Sequence, residues 1–322
     1  MKTILILLFN CLLLVIACSN ANAQKSYPDK AVTIIVPFAA GGVSDAVARY
    51  YAQRLTSRMG QTFYVENKVG AGGTIGTDLL SHASPDGYTL GIFLDSNTIA
   101  PAVYKKLGSD PIKDFTPIAM LAEGQHVIIA HPSFPPNTMK ELIEYAKNNP
   151  GEPYASTGQG TAQHLGMEMI QLKAGIKLTH VPYKGGGQAI TDLAGGQIKF
   201  GILGIAPVLP FVKTGQLKVI AVTGEKRSPI FPGIPTVSET LPGITTLQWF
   251  GIVAPAGLPT PIQQKLFREF TAITKEPETE KKLAGLGLET YVNKDPSEFT
   301  SFMEKDLAKW PQIIKATGIK PE

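Results

Sequence analysis

Cysteine is almost missing from this chain. Two occur, Cys11 and Cys18, and both lie in the apolar N-terminal segment. The remainder has no disulfide, no thiol nucleophile and no cysteine metal site. Its stability must come from a packed core, which 322 residues are enough to build. Charge is also scarce, at 17% of residues. The net charge of +4 drops to +3 without Lys2 (4 − 1), and no Arg/Lys stripe occurs. That balance excludes a nucleic-acid footprint. The histidines are His82, His126, His131, His164 and His180, with no HExxH or paired metal spacing. No internal repeat or low-complexity tract appears. Against these absences, a hydrophobic content of 43% makes the chain a folded globular one.

Outside the first residues there is no apolar run able to span a membrane. Lys2 followed by the apolar stretch Ile4–Ala17 has the make-up of a secretory leader. Its apolar part is shorter than the roughly 20 residues of a spanning helix. Ala21-Asn22-Ala23 fits a cleavage site, so residues 1–23 are expected to be removed and the mature protein to be periplasmic. Val15-Ile16-Ala17-Cys18 offers an alternative, a lipobox that would leave an anchor at Cys18; the Ala-x-Ala site is the cleaner match.

Strand and helix patterns alternate along the rest. The apolar run Val32–Val36 predicts a buried strand, followed by a helix over Ser44–Met59. Strand Thr62–Glu66, helix Thr74–Ser81 and strand Tyr88–Phe93 follow, then a loop and short helix over Asp95–Tyr104. Such alternation predicts an α/β fold with mostly parallel sheets flanked by helices. Phe115–Ala130 reads as a long or broken strand, and the proline cluster after it suits a crossing between domains. A second α/β series runs from Asn137, a cap candidate, through helix Thr138–Asn148 to strand Leu217–Val222. Leu247–Ala254 reads as the return crossing, with helices near Pro261–Thr274, Glu278–Leu286 and Pro296–Thr317 after it. The expected organisation is a discontinuous first domain, 27–128 and 246–322, and an inserted second domain, 129–245, able to close on a ligand by hinging.

Three loops carry the candidate site. After the first strand, Phe38, Ala40, Gly41 and Gly42 lead into a helix whose first turn holds Ser44 and Asp45, both cap candidates. Paired glycines at a helix N-terminus leave backbone N–H groups free, which suits an anion, here expected to be a carboxylate. The facing loop holds Ser156, Thr157, Gly158 and Thr161, hydroxyls and amides that bind an anion without a cation; it also reads as an ordinary turn. His164 lies in the following first turn, where a hydrogen-bonding role is favoured. The third loop contributes Lys184 and Gly185, with Asp192 on the helix after it; Lys184 reads more readily as a solvated side chain. Ser96 and Asn97, at the carboxyl end of a strand, are placed to meet the far end of the ligand. Phe250 reads as core, whereas Phe38 and Trp249 suit either core or pocket wall.

Two motifs are incomplete. Gly70–Gly76, GAGGTIG, resembles a dinucleotide fingerprint but misses the third-glycine spacing. Gly42-Val43-Ser44-Asp45-Ala46 resembles a nucleophile elbow, yet its second glycine is Ala46 and no histidine sits in a triad context. No catalytic residue, metal or cofactor is therefore expected.

The ordered set VPFAAGGVSDAVAR (36–49), ENKVGAGGTIGTD (66–78), SPDGYTL (84–90), DPIKDFTPIA (110–119), STGQGTAQHLGME (156–168), VPYKGGGQAITDLAGGQI (181–198) and WFGIVAPAGLP (249–259) resembles the periplasmic solute-binding proteins of tripartite tricarboxylate transporters, the Bug family. The resemblance implies a two-domain type II flytrap fold joined by two crossing strands. It also implies an organic acid held by the two βα loops through backbone amides and water, here Phe38–Gly42 and Ser156–Thr161. Integral-membrane transporter subunits are the implied partners, with a sensor receptor as the alternative that shares this fold and cleft, and the binding protein is expected to act as a monomer. Family members commonly carry proline at the position of Gln188, and the Asp95-Ser96-Asn97 segment is where ligand-dependent variation is expected. The particular acid stays open.

Overall fold

The computed structural model describes residues 27–318; the leader, its cleavage site and both cysteines lie outside the described residues. The chain begins with β1 (Val32–Val36), α1 (Val43–Met59), β2 (Phe63–Asn67), a tight turn at Ala71–Gly73, α2 (Thr74–Ser81), β3 (Thr89–Leu94) and α3 (Asp95–Val103). The long β4 (Phe115–Ala130) follows. Next come α4 (Met139–Asn148), β5 (Glu152–Ser156), α5 (Ala162–Ala174), β6 (Leu178–Pro182), α6 (Gly186–Ala194), β7 (Phe200–Gly204), α7 (Ile205–Lys213), β8 (Lys218–Val222) and α8 (Val237–Thr240). The chain closes with β9 (Leu247–Pro255), α9 (Thr260–Thr274), α10 (Pro277–Ala284), β10 (Leu288–Thr290) and α11 (Pro296–Thr317).

The strands form one mixed sheet in the order β2-β1-β3-β9-β4-β7-β5-β6, with β10 and β8 also paired to β4. Parallel pairing occupies both flanks, β2-β1-β3 on one side and β7-β5-β6 on the other. The centre is antiparallel, because the crossing strands β4 and β9 run against their neighbours. One half of β4, Phe115–Gln125, pairs with β9; its other half, His126–Ala130, pairs with β7. The return strand reaches the same boundary, since Thr246 N–H donates to Thr223 O (3.0 Å) just before β9 begins beside Gln125. Pro117 sits at a register shift in β4, where a missing N–H costs the ladder nothing.

Hydrophobic packing divides at that boundary. One core draws on residues of 32–122 and 250–288, and a second on 128–244. On α1, Val47, Ala48, Tyr51 and Leu55 recur at helical spacing and are fully buried, and the Tyr51 hydroxyl meets Thr274 Oγ1 of α9 at 2.9 Å. A smaller cluster bridges the two cores, joining Ile99 and Val103 of α3 to Leu165 of α5 and to Trp310 and Ile314 of α11.

Several boundaries differ from the sequence expectation for local reasons. The first helix is capped by Gly42, with no side-chain cap, rather than by Ser44 or Asp45. Helix α3 starts directly at Asp95, in a stretch expected to begin as loop, because the Asn97 side chain accepts the Leu94 N–H (2.9 Å) and closes the turn. Thr138, not Asn137, caps α4 by accepting the Glu141 N–H at 3.2 Å. Helix α8 and strand β10 are too short to give a period.

Candidate ligand-binding cleft

The loop between β1 and α1 is held from behind. Asn67, the last residue of β2, donates from Nδ2 to Phe38 O (2.9 Å) and to Asp45 Oδ1 (3.0 Å). Asp45 Oδ2 accepts the Gly41 N–H at 3.2 Å, and Arg49 Nε donates to the same carboxylate at 3.0 Å. Burial pushes the Asp45 carboxyl up, but Arg49, Asn67 and Gly41 together outweigh it and hold the group below its ordinary value. Asp45 thus braces the loop from the side away from the cleft, and it consumes the Gly41 amide.

The facing loop is braced in a similar way. Ser156 Oγ lies 2.6 Å from His180 Nε2 and accepts the Gly158 N–H at 3.1 Å. His164 stacks on His180 with ring centroids 4.1 Å apart, and its Nδ1 accepts the Gly160 N–H at 3.3 Å. Burial depresses His164 to about 4 and, with His164 beside it, His180 to about 3. Ser156 is fully buried, and its contacts with His180 and the Gly158 N–H brace the loop. Thr161 caps α5 by accepting the His164 N–H at 3.3 Å.

These loops meet across a cavity of about 480 Å³ of non-atom space, partly continuous with solvent. Its wall includes the N-cap residues of five helices: Gly42 of α1, Leu94 of α3, Thr161 of α5, Gly185 of α6 and Gly204 of α7. Three of these caps, Gly42, Gly185 and Gly204, provide no side chain to their first turn. Their first N–H groups are left for whatever occupies the cavity. Each helix also brings its positive end, which favours an anion by about 0.3–1 kcal/mol and more where water is excluded. Phe38, Val43, Leu94, Pro207 and Phe250 supply apolar wall, and Ser44, Thr157, Gln163 and Gln248 supply polar groups. Among the described residues of this wall there is no lysine or arginine; Asp95 is its one ionisable group.

Of the residues singled out from sequence, Phe38, Gly42, Thr157, Thr161 and Gly185 lie on the cavity wall. Ala40 and Gly41 are exposed, Gly158 and His164 are buried, and none of the four is on the cavity wall. Asp45 is turned to Arg49, and Ser156 is fully buried against His180. The Lys184 side chain is exposed; its carbonyl instead accepts the Ala39 N–H at 3.3 Å and ties the two sides together. Asp192 accepts the Tyr183 hydroxyl at 2.9 Å, away from the cavity. Ser96 and Asn97 border a neighbouring cavity of about 310 Å³ with Thr74 and Thr77.

Sequence reasoning passed over Val43, Leu94, Asp95, Gln163, Gly204, Pro207 and Gln248 as wall residues, while Gly186 belongs to the third loop and lies on the wall. Phe250 was expected in the core and also faces the cavity. Strand alternation decides that pair: Gln248 and Phe250 point to the cleft, while Trp249 points the other way, to Asp306 at 3.2 Å. The glycine motif at Gly70–Gly76 serves approach between the two sides. A side chain at Gly72 would come within 2.4 Å of Gln159 O.

Comparison with known proteins agrees with this fold. Residues 47–319 match the model of the tripartite tricarboxylate transporter family receptor. The structure of Rpa4515 from R. palustris with adipate is 32% identical, with a TM-score of 0.89 over 92% of this chain and 100% of that one. The periplasmic binding protein BugD is 36% identical, with a TM-score of 0.88 over 92% and 100%. MatC from Rhodopseudomonas palustris with bound malate is 30% identical, with a TM-score of 0.85 over 89% and 100%. The chain belongs to the tripartite tricarboxylate transporter receptor family, the Bug-type periplasmic solute-binding proteins.

Proposed function

We propose that this protein captures a small organic acid in the cleft and delivers it to the membrane subunits of a tripartite tricarboxylate-type transporter. The observation that carries the reading is the convergence of five helix N-termini, three capped by bare glycines, on a wall without a cationic side chain. Main-chain donors recognise a carboxylate without burying a lysine or arginine whose desolvation must be offset. The amides at Gly42–Ser44 and Gly185–Gly186, with Thr157 and Thr161, are the proposed contacts. The adipate and malate in related structures support the ligand class.

Capture works by population shift. Segments 27–128 with 246–322 form one lobe and 129–245 the other, with the β4 and β9 boundary as hinge. The ligand favours the closed form because it touches both lobes only there. Removal of residues 1–23 would release the protein to the periplasm as a monomer, and lipidation at Cys18 would tether it instead. The ligand is bound and handed on without chemical conversion.

Thermal-shift screening of the mature protein against organic acids tests this. A saturating ligand raises the melting temperature with the ratio of its concentration to Kd. A response to sugars or cations, with none to carboxylates, would overturn the ligand class.

A further inference from the structure

The proposed capture of a carboxylate leaves Asp95 unused, although it is the one ionisable residue on the cavity wall. It opens α3 directly after β3, and it is 2% exposed. Its carboxyl accepts from the Ala162 N–H at the start of α5 and from the Ser96 N–H of its own turn. From α11 it faces Asp306 and Lys309. Asp306 is already engaged by Thr98 Oγ1, by the Trp249 and Trp310 indoles at 3.2 Å, and by an ion pair with Lys309. The nearest cation therefore has another partner. On α5, His164 is neutral above about 4, and Glu168 lies beyond it, 3.9 Å from its Nε2. β9 presents uncharged Gln248 and Phe250, and α1 presents Val43 and Ser44 with Asp45 turned to Arg49.

A fixed acid in a cavity otherwise built for an anion gives that cavity two unlike ends. Resting on the carboxylate reading, we infer that Asp95 sets ligand selectivity: the ligand carries, apart from its carboxylate, a hydrogen-bond-donating group that Asp95 accepts, an ammonium or a hydroxyl, and a second carboxylate is rejected. Like charges placed together across an interface are strongly unfavourable, whereas an opposite or hydrogen-bond-donating partner offsets the desolvation of a carboxyl that is already buried. Burial, reinforced by Asp306, pushes the Asp95 carboxyl up to about 7. Ionisation of Asp95 as pH rises through that value tightens binding of an ammonium-bearing acid and weakens binding of a diacid.

Calorimetry with length-matched sets tests the assignment: adipate, 6-hydroxyhexanoate and 6-aminohexanoate, with the four-carbon counterparts of each. The donor-bearing members are expected to bind wild type at least about tenfold more tightly than the diacid. Asp95→Asn is expected to reverse that order. The amino acids are expected to bind wild type more tightly at pH 8 than at pH 6, with a flat profile in the variant. A diacid bound best by wild type, with the order kept in Asp95→Asn, would overturn the inference; so would a flat wild-type profile for an amino acid that binds. A variant that fails to fold leaves the wild-type order and pH profile to decide. Silence from every acid in the set, with a response to another ligand class, would overturn the carboxylate reading itself, a result distinct from a reversed preference.

Discussion

Gly185 caps α6 at a φ of +145° and lies where the two sides of the cleft touch. A Cβ there would stand 3.2 Å from Ala39 Cβ and 3.3 Å from Ala39 N, beside the bond from Ala39 N–H to Lys184 O. Gly185→Ala therefore acts through two separable effects. Holding alanine in that backbone region costs about 1–3 kcal/mol, and this strain lowers the melting temperature. The Ala39 contact joins the loop before α1 to the loop before α6, so under the proposed hinge closure it acts on ligand binding. If ~1 kcal/mol of the total falls on the closed form, Kd rises about fivefold. Ala39→Gly removes the opposing Cβ. The double variant should recover part of the affinity while keeping the lowered melting temperature. Calorimetry with the best acid from the screen, alongside thermal melts, completes a double-mutant cycle. A Kd unchanged in Gly185→Ala while the melting temperature falls would refute the role of this contact in closure.

Asn67→Ala removes the donor shared by Phe38 O and Asp45 Oδ1. It should lower stability by about 1–3 kcal/mol in urea titrations and weaken ligand binding through a loosened loop. The depressed histidines predict a pH effect of definite sign. Their folded values, about 4 for His164 and about 3 for His180, lie below the ordinary 6.5, so the unfolded chain binds more protons. Stability is then fully present above about 6.5 and falls as pH drops toward 4. His180→Gln should flatten the melting-temperature slope between pH 6.5 and 4 relative to wild type; an unchanged slope would contradict the buried, neutral state of that ring.

Much of the fold was legible because its elements are locally marked. β1 follows from the β-branched run Val32–Val36, β4 from apolar stretches on either side of Glu123–His126, and α11 opens on Asp295-Pro296, a cap followed by a first-turn proline. The glycine loops were legible as helix starts without side-chain caps for the same local reason. The wall of the cleft was less so. Gly204, Pro207 and Gln248 lie outside the loops that attract attention, and only the sheet order brings them opposite Gly42. Asp45 was misjudged because a carboxylate in a first turn can face the ligand or the neighbouring strand. The choice was made by Asn67 and Arg49, both distant in kind from any cap signal. Asp95 was read as part of a variable segment, and its burial depends on α11, some 200 residues later.

The claim beneath all of this is that main-chain N–H groups hold the ligand's carboxylate. A titration of the 15N-labelled mature protein with the best-binding acid, followed by amide NMR, measures it directly. Downfield amide proton shifts are expected at Val43 and Ser44, at Gly186 and Gly187, and at Ile205 and Ala206, saturating together at the calorimetric Kd. Amides at these helix starts that stay in place, while lysine or arginine side-chain resonances move on saturation, would contradict it.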